Sequence, residues 1–240
     1  MDPLFKIKTL RSTPSPQQLA WLAMHQDYSE EFVAEQACLL TEEEAGNHVI
    51  NHLLKGHRGH YGPLEHPQIT LNAGYFPHST MQQLRTHRVG ISFDVQSGRY
   101  TGRRIAAVIS GELEVEEVFY LRPVGEYSDR RGKRYEYTEE ARQDDLGACI
   151  EACQRYKDKV DRGYSEEHAR SMIPFDVRQH FVVSFNMRSL MHLLLIRGKR
   201  DAQLECQQFC ELVLPHFQEW APEVHGWFYD NLWLKGRLAP

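Results

Sequence analysis

The stretch RQHFVVSFNMRSLMHLLLIRG, Arg178 to Gly198, carries two kinds of structure back to back. RQHFVVSF is dense in aromatic and β-branched residues, which suit a pleated, half-buried surface, and it reads as a strand. NMRSLMHLLLIRG continues as a helix of mostly apolar residues with a glycine at its end. Asn186, Arg188, His192 and Arg197 are polar positions in that greasy run. Helical spacing sets Arg188 and His192 on one face and brings His192 towards Arg197. An arginine ending a helix commonly does no more than complement the macrodipole. Its setting here gives it a second, chemical reading.

Outward from this stretch the pattern is irregular. Two helices follow, AQLECQQFCELVLPHF (202–217) and PEVHGWFYDNLWL (222–234). Upstream, residues 139–160 read as a long amphipathic helix, and SEEHARSMI begins a second that stops near Pro174. Residues 124–138 are polar and mixed in charge, as an exposed loop would be. RIAAVIS (104–110) and EVEEVFYLRPV (114–124) read as two strands joined at Ser110–Gly111. PHSTMQQLRTHR (77–88) suits a helix after the strand PQITLNAGYF (67–76) and the turn GHYGPLEH. Before the turn, residues 29–59 read as helices. The order is helices, strands, helices, strand, helices. That predicts an α+β fold, a mixed or antiparallel sheet flanked by long helices, and not the alternation of a Rossmann fold.

The chain of 240 residues is expected to form a single domain, large enough to bury a core without disulfide or metal. Its 28 Lys and Arg against 33 Asp and Glu give a net charge of −5, the wrong sign for a general nucleic-acid or membrane binder. The start, MDPLFKIKTLRS, has no long apolar run, and no later stretch is long enough for a membrane span. The five cysteines, Cys38, Cys149, Cys153, Cys206 and Cys210, therefore read as reduced thiols, and the expected location is cytoplasmic.

Against that acidic background, QQLRTHRVGISFDVQSGRYTGRR (82–104) concentrates Arg85, Arg88, Arg99, Arg103 and Arg104 with His87, hydroxyls and glycines. Guanidinium supplies planar, permanent, paired donors, and glycine lets main-chain amides approach oxygens, so the segment has the chemistry for a phosphate. A solvated basic loop would have the same composition. Other sites are not supported. His57, His60 and His66 have spacings that fit no standard zinc pattern, the cysteine pairs lack the CxxC step, and no metal site is expected. There is no GxGxxG after a strand and no GxxxxGK[ST].

Taken in order, these segments resemble the flavin-dependent thymidylate synthases, whose signature is Arg-His-Arg, seven residues, then Ser, continuing into Gly/Gln-Arg-Tyr. Here Arg85-Thr86-His87-Arg88 is followed after eight residues by Ser97-Gly98-Arg99-Tyr100. GHYGPLEH matches the upstream Gly-His-x-x-Pro-x-Glu-His, ARSMIP (169–174) resembles Ala-Arg-x-x-Leu-Pro, NMRSLMHLLLIR resembles Asn-x-Arg-Ser-Leu-x-x-x-x-x-x-Arg, and AQLE (202–205) follows. The motif-bearing span is about 59–210. Thr86 stands inside the usual Arg-His-Arg, so either Arg85 or Thr86 takes the first arginine's place, and either Gln82 or Gln83 the upstream glutamine's.

The resemblance implies a homotetramer with sites at subunit interfaces. FAD would be held by His60, Arg85, His87, Arg88, Asn186, Met187, Arg188 and His192. The substrate dUMP would meet Gln82 or Gln83, Arg85, Gln96, Ser97, Gly98, Arg99 and Arg170. NADPH would reduce the flavin and methylenetetrahydrofolate would supply the carbon. Arg197 would contact the substrate and activate the uracil, since a guanidinium stays protonated and can favour negative charge on the N3/O4 side. None of the five cysteines lies in an electropositive, motif-like setting, so a thiolate route has no candidate. The alternative reading is a protein that binds nucleotide or nucleic acid without turnover.

Overall fold

The structure, a computed structural model, describes residues 1–36, 39–56, 59–129 and 131–235. Cys38 and His57 lie outside the described residues. In chain order the elements are β1 (Lys6–Ser12), α1 (Pro16–Gln26), α2 (Glu42–Val49), β2 (Gln68–Pro77), α3 (His78–Leu84), β3 (Ile91–Val95), α4 (Arg103–Ser110), α5 (Val115–Val118), β4 (Gly125–Ser128), β5 (Arg134–Tyr137), α6 (Glu139–Asp161), α7 (Glu166–Ala169), β6 (Arg178–Asn186), α8 (Met187–Arg197), α9 (Leu204–Trp220) and α10 (Pro222–Asn231). The chain is thus mixed α and β, with a four-stranded sheet ordered β1-β2-β6-β3 and an antiparallel β4/β5 hairpin. It forms two compact units: Met1–Ala73 with Leu84–Asp94 and Val182–Pro240, and Gly74–Gln83 with Val95–Phe181.

In the first unit, α8 is buried almost all round: Leu190, Met191, Leu193 and Leu194 have no exposed surface. Its start is fixed by Asn186, whose side chain accepts a bond from the Ser189 amide at 2.8 Å. Helix α2 begins with a capping box between Thr41 and Glu44. The fully buried Gln17 of α1 donates to the Glu42 carbonyl at 3.2 Å and the Glu223 carboxylate at 2.6 Å, and accepts from the Val224 amide at 2.9 Å. One satisfied amide therefore ties α1, α2 and α10 together. The strand β1 and helix α1 were not foreseen, because a short edge-like strand of alternating charge carries little apolar signal.

The second unit packs α4 and α6 around Ile105, Phe119, Cys149, Cys153 and Tyr156. RIAAVIS, expected as a strand, is the helix α4: Ile105, Val108 and Ile109 recur at three- and four-residue steps and meet one core. A short run rich in Ile and Val satisfies either period, and packing against α6 decides it. EVEEVFYLRPV, also expected as a strand, holds the single-turn α5 with a Glu114/Glu117 capping box, and only Phe119 bridges, antiparallel, to Val177. The described residues of 124–138 are mostly exposed, as expected, yet they fold as the hairpin, with Gly125 opposite Tyr137 and Ser128 opposite Arg134. Arg178, 2% exposed, donates to the carbonyls of Glu116 at 2.7 Å and Tyr75 at 3.0 Å and lies 5.4 Å from the Tyr120 ring. The strand thus opens on a buried cation that donates to backbone carbonyls.

Candidate active site

In the first unit, α8 and the segment 84–90 bring one group of expected residues together. His87 closes a turn after α3, its amide bonding to the Leu84 carbonyl at 3.1 Å. Arg197, the last residue of α8, donates from Nε to His87 Nε2 at 2.9 Å and from Nη2 to Thr86 Oγ1 at 2.9 Å. The His192 ring stands edge-on to His87, centroids 5.7 Å apart. Burial first, then the Arg197 and His192 charges, push the His87 pKa down to about 4. His192 is lowered too, by burial and by Arg188. Both rings are therefore neutral at physiological pH, and His87 can accept from a guanidinium.

Arg188 pairs with Glu65 at 2.5 Å and lies 5.7 Å from the Tyr61 ring. Ser189 Oγ donates to the Val89 carbonyl at 2.7 Å, and the Asn186 amide bonds to the Gly90 carbonyl at 3.0 Å. These bonds hold the segment beside α8. Asn186 caps the helix and Met187 is wholly buried, so both act in the scaffold here, while Arg85 and Arg88 are exposed. His60 bonds Asp27 at 2.9 Å on a cavity of about 530 Å³ that Glu65 and His66 also line. Among the described residues no cluster of three His, Cys, Asp or Glu side chains could hold a metal.

The second unit holds the other group, around a cavity of about 470 Å³. Gly98, Arg104, Glu167, Arg170, His78 and Gln179 are among its lining residues. The loop from Ser97 is ordered by its own bonds. The Ser97 carbonyl accepts from the Tyr100 amide and the Thr101 hydroxyl, both at 3.0 Å, and Ser97 Oγ accepts from the Arg99 amide at 3.3 Å. A Cβ added at Gly98 would sit 3.6 Å from Arg170 Cδ, an ordinary van der Waals contact, so the arginine stem lies beside this turn. Arg99 pairs with Glu167 at 2.8 Å, both half-exposed. Arg104 donates to the Arg178 carbonyl, and its buried Nε has no partner among the described residues.

The two glutamines differ in what they meet. Gln82 Nε2 donates to His78 Nε2 at 2.8 Å, and His78 Nδ1 lies 2.7 Å from Gln179 Oε1. That oxygen can only accept, so Nδ1 carries the proton and Nε2 receives the amide of Gln82. Gln83 is exposed on the same helix. The Gln96 side chain accepts from the His180 amide at 3.3 Å, completing a strand-like exchange with the Gln96 amide and His180 carbonyl at 2.9 Å.

Sequence reading missed Glu65, Tyr61, His78, Gln179 and Glu167 as neighbours of these groups; it placed Arg104 in the basic segment and named Thr86 only as an alternative occupant of the first arginine's place. Only Glu65 carried a signal, as the acid in GHYGPLEH. The others are recruited by folding.

A family model described as thymidylate synthase complementing protein matches residues 8–223. This chain belongs to the flavin-dependent thymidylate synthase family. Two relatives named flavin-dependent thymidylate synthase, from Haloarcula marismortui and Halobacterium salinarum, are each 32% identical. The first alignment covers 98% of this chain and 99% of the relative, and the second 98% and 100%. The fold is also that of two solved structures. A UMP/dUMP methylase PolB from Streptomyces cacaoi bound with 5-Br dUMP superposes with a TM-score of 0.73 at 21% identity, covering 98% of this chain and 97% of that one. Thymidylate synthase X from Helicobacter pylori with FAD and dUMP gives 0.68 at 18% identity, covering 96% and 99%. The family match extends beyond the motif-bearing span in both directions, so it includes most of β1 and all of α1, which no motif marks.

Proposed function

We propose that this protein methylates dUMP to dTMP, with FAD as redox cofactor, NADPH as reductant and methylenetetrahydrofolate as carbon donor, the whole chain working as one synthase in a homotetramer. The observation that carries the reading is the end-to-end match to relatives named flavin-dependent thymidylate synthases. The proposed location is cytoplasmic, with diffusible small-molecule partners and no nucleic acid; among the described residues no helix is long and apolar enough to cross a membrane.

The residues present suit FAD without a Rossmann site. Arg85 and Arg88 offer exposed cations for a diphosphate, Arg188 lies by the Tyr61 ring, and His87 and His192 offer neutral ring nitrogens. These, with His60, would hold the cofactor, and Asn186 and Met187 would shape the helix start beneath it. Bound FAD, once reduced, supplies the hydride of the reaction.

The chain's own groups bind and polarise. Ser97, the Gly98 main chain, Arg99 and Arg170 would take the phosphate and sugar, with Gln82 or Gln83, Arg85 and Gln96 completing the dUMP contacts. The chemical demand is to make C5 of uracil nucleophilic. A thiolate adding at C6 would do so, but among the described residues Cys149 is pushed up to about 11, Cys153 and Cys206 to about 12, and Cys210 well above 9, all chiefly by burial. Thiols in that state are poor nucleophiles at neutral pH. Arg197 is the catalytic residue of the other route, donating to the N3/O4 edge and favouring the anionic base. Arg197→Ala is expected to lower dTMP formation about 10²- to 10³-fold, the usual loss on removing one charge-stabilising donor, with little change in melting temperature. Near-normal turnover in that variant would remove Arg197 from the mechanism.

A further inference from the structure

We propose that Thr86 is a positioning residue: its hydroxyl and the His87 ring together fix the plane of the Arg197 guanidinium for its work on the pyrimidine. This rests on the role given to Arg197 above.

An arginine at the end of a helix has a long side chain with many rotamers, and a single hydrogen bond leaves its head free to swivel. Two bonds to different nitrogens do not. The guanidinium is rigid and planar, so anchoring Nε at His87 and Nη2 at Thr86 also determines where Nη1 points. Both anchors come from consecutive residues, in a turn closed by the His87 amide on Leu84. Thr86 is β-branched, which limits its rotamers and presents Oγ1 in a defined direction.

The identity of the acceptors also matters. A carboxylate at either position would neutralise the cation and weaken its pull on a developing anion. A hydroxyl and a neutral imidazole orient the group and leave its charge intact. The low proton affinity of His87 fits that part, since a protonated ring could not accept from Nε. Thr86 stands inside the Arg-His-Arg step of the family signature. The residue that interrupts the motif is the one whose side chain supplies the second anchor.

The test compares Thr86→Val, which keeps the shape and removes the hydroxyl, with Thr86→Ser, which keeps the hydroxyl, both as FAD-loaded enzyme beside Arg197→Ala. Thr86→Val is expected to lower kcat about tenfold, the loss of one charge-assisted hydrogen bond in the transition state, with KM for dUMP changed by no more than about twofold. Thr86→Ser should recover most of that loss. A readout independent of turnover is the binding of 5-fluoro-dUMP, whose ring fluorine makes N3–H more acidic. Its affinity should rise with pH in the wild type as the base ionises beside Arg197, and rise less in Thr86→Val. The proposal is overturned if Arg197→Ala is inactive while Thr86→Val keeps wild-type kcat and pH dependence. It is also overturned if Thr86→Val and Thr86→Ser lose activity and melting temperature together. If Arg197→Ala itself retains turnover, the role of Arg197 fails first, and this inference with it.

Discussion

His87 is held without its second proton by its surroundings. Burial is the largest cause, the Arg197 guanidinium the next and His192 the third, and together they take it from 6.5 to about 4. A group that binds a proton less readily when folded makes acidification costly. Between pH about 6.5 and about 4 the unfolded chain takes up a proton that the folded chain refuses, so stability falls with pH in that window and is unaffected by His87 above it. NMR titration of the His87 ring should show a midpoint near 4, moving up in Arg197→Ala because a neighbouring cation has gone. A wild-type midpoint near 6.5 would contradict the Arg197–His87 geometry. His87, Arg188, His192 and Arg197 were legible in the sequence because a polar residue in a greasy helix, or a cation in an acidic chain, is conspicuous. Thr86 was not, since its partner is 111 positions away and a hydroxyl has no pattern of its own.

At the scale of elements, the turn before β3 shows how the site segment is fixed to α8. Gly90 has φ 67, and a Cβ there would collide with Asn186 Nδ2 and Ser189 Oγ. Gly132, in the hairpin turn, has φ 80 but open space around it. Gly90→Ala should therefore destabilise by more than Gly132→Ala. Backbone strain alone accounts for about 1 kcal/mol at either site, and the collision adds to it at Gly90. Denaturant unfolding measures the difference, and equal losses would mean that the segment moves away from α8 freely. The same scale explains what the sequence reading got wrong. The strand β6 and helix α8 each show one period clearly over about ten residues. The run RIAAVIS fits two periods, and only the facing core of α6 chooses between them. In the hairpin, exposed strands paired only to each other leave no apolar alternation to read.

Over the whole molecule, acidic residues outnumber basic ones, yet arginines gather in the segments 82–104 and 170–200. Such a charge distribution suits local capture of a small anion better than a surface-wide field. Each compact unit carries one of the two groups of candidate site residues on its own scaffold. No contiguous dinucleotide fingerprint is present in the sequence, so the proposal of a flavin site came only from several ordered motifs taken together. The central claim is that these residues serve a flavin and dUMP in one reaction. The most direct test is the visible absorbance of the purified protein, followed without oxygen as NADPH is added with dUMP present. The account predicts flavin absorbance, as isolated or after adding FAD, that bleaches with NADPH and returns with dTMP formation when methylenetetrahydrofolate is supplied. A protein that takes up no flavin from excess FAD, or whose bleached flavin yields no dTMP, would contradict it.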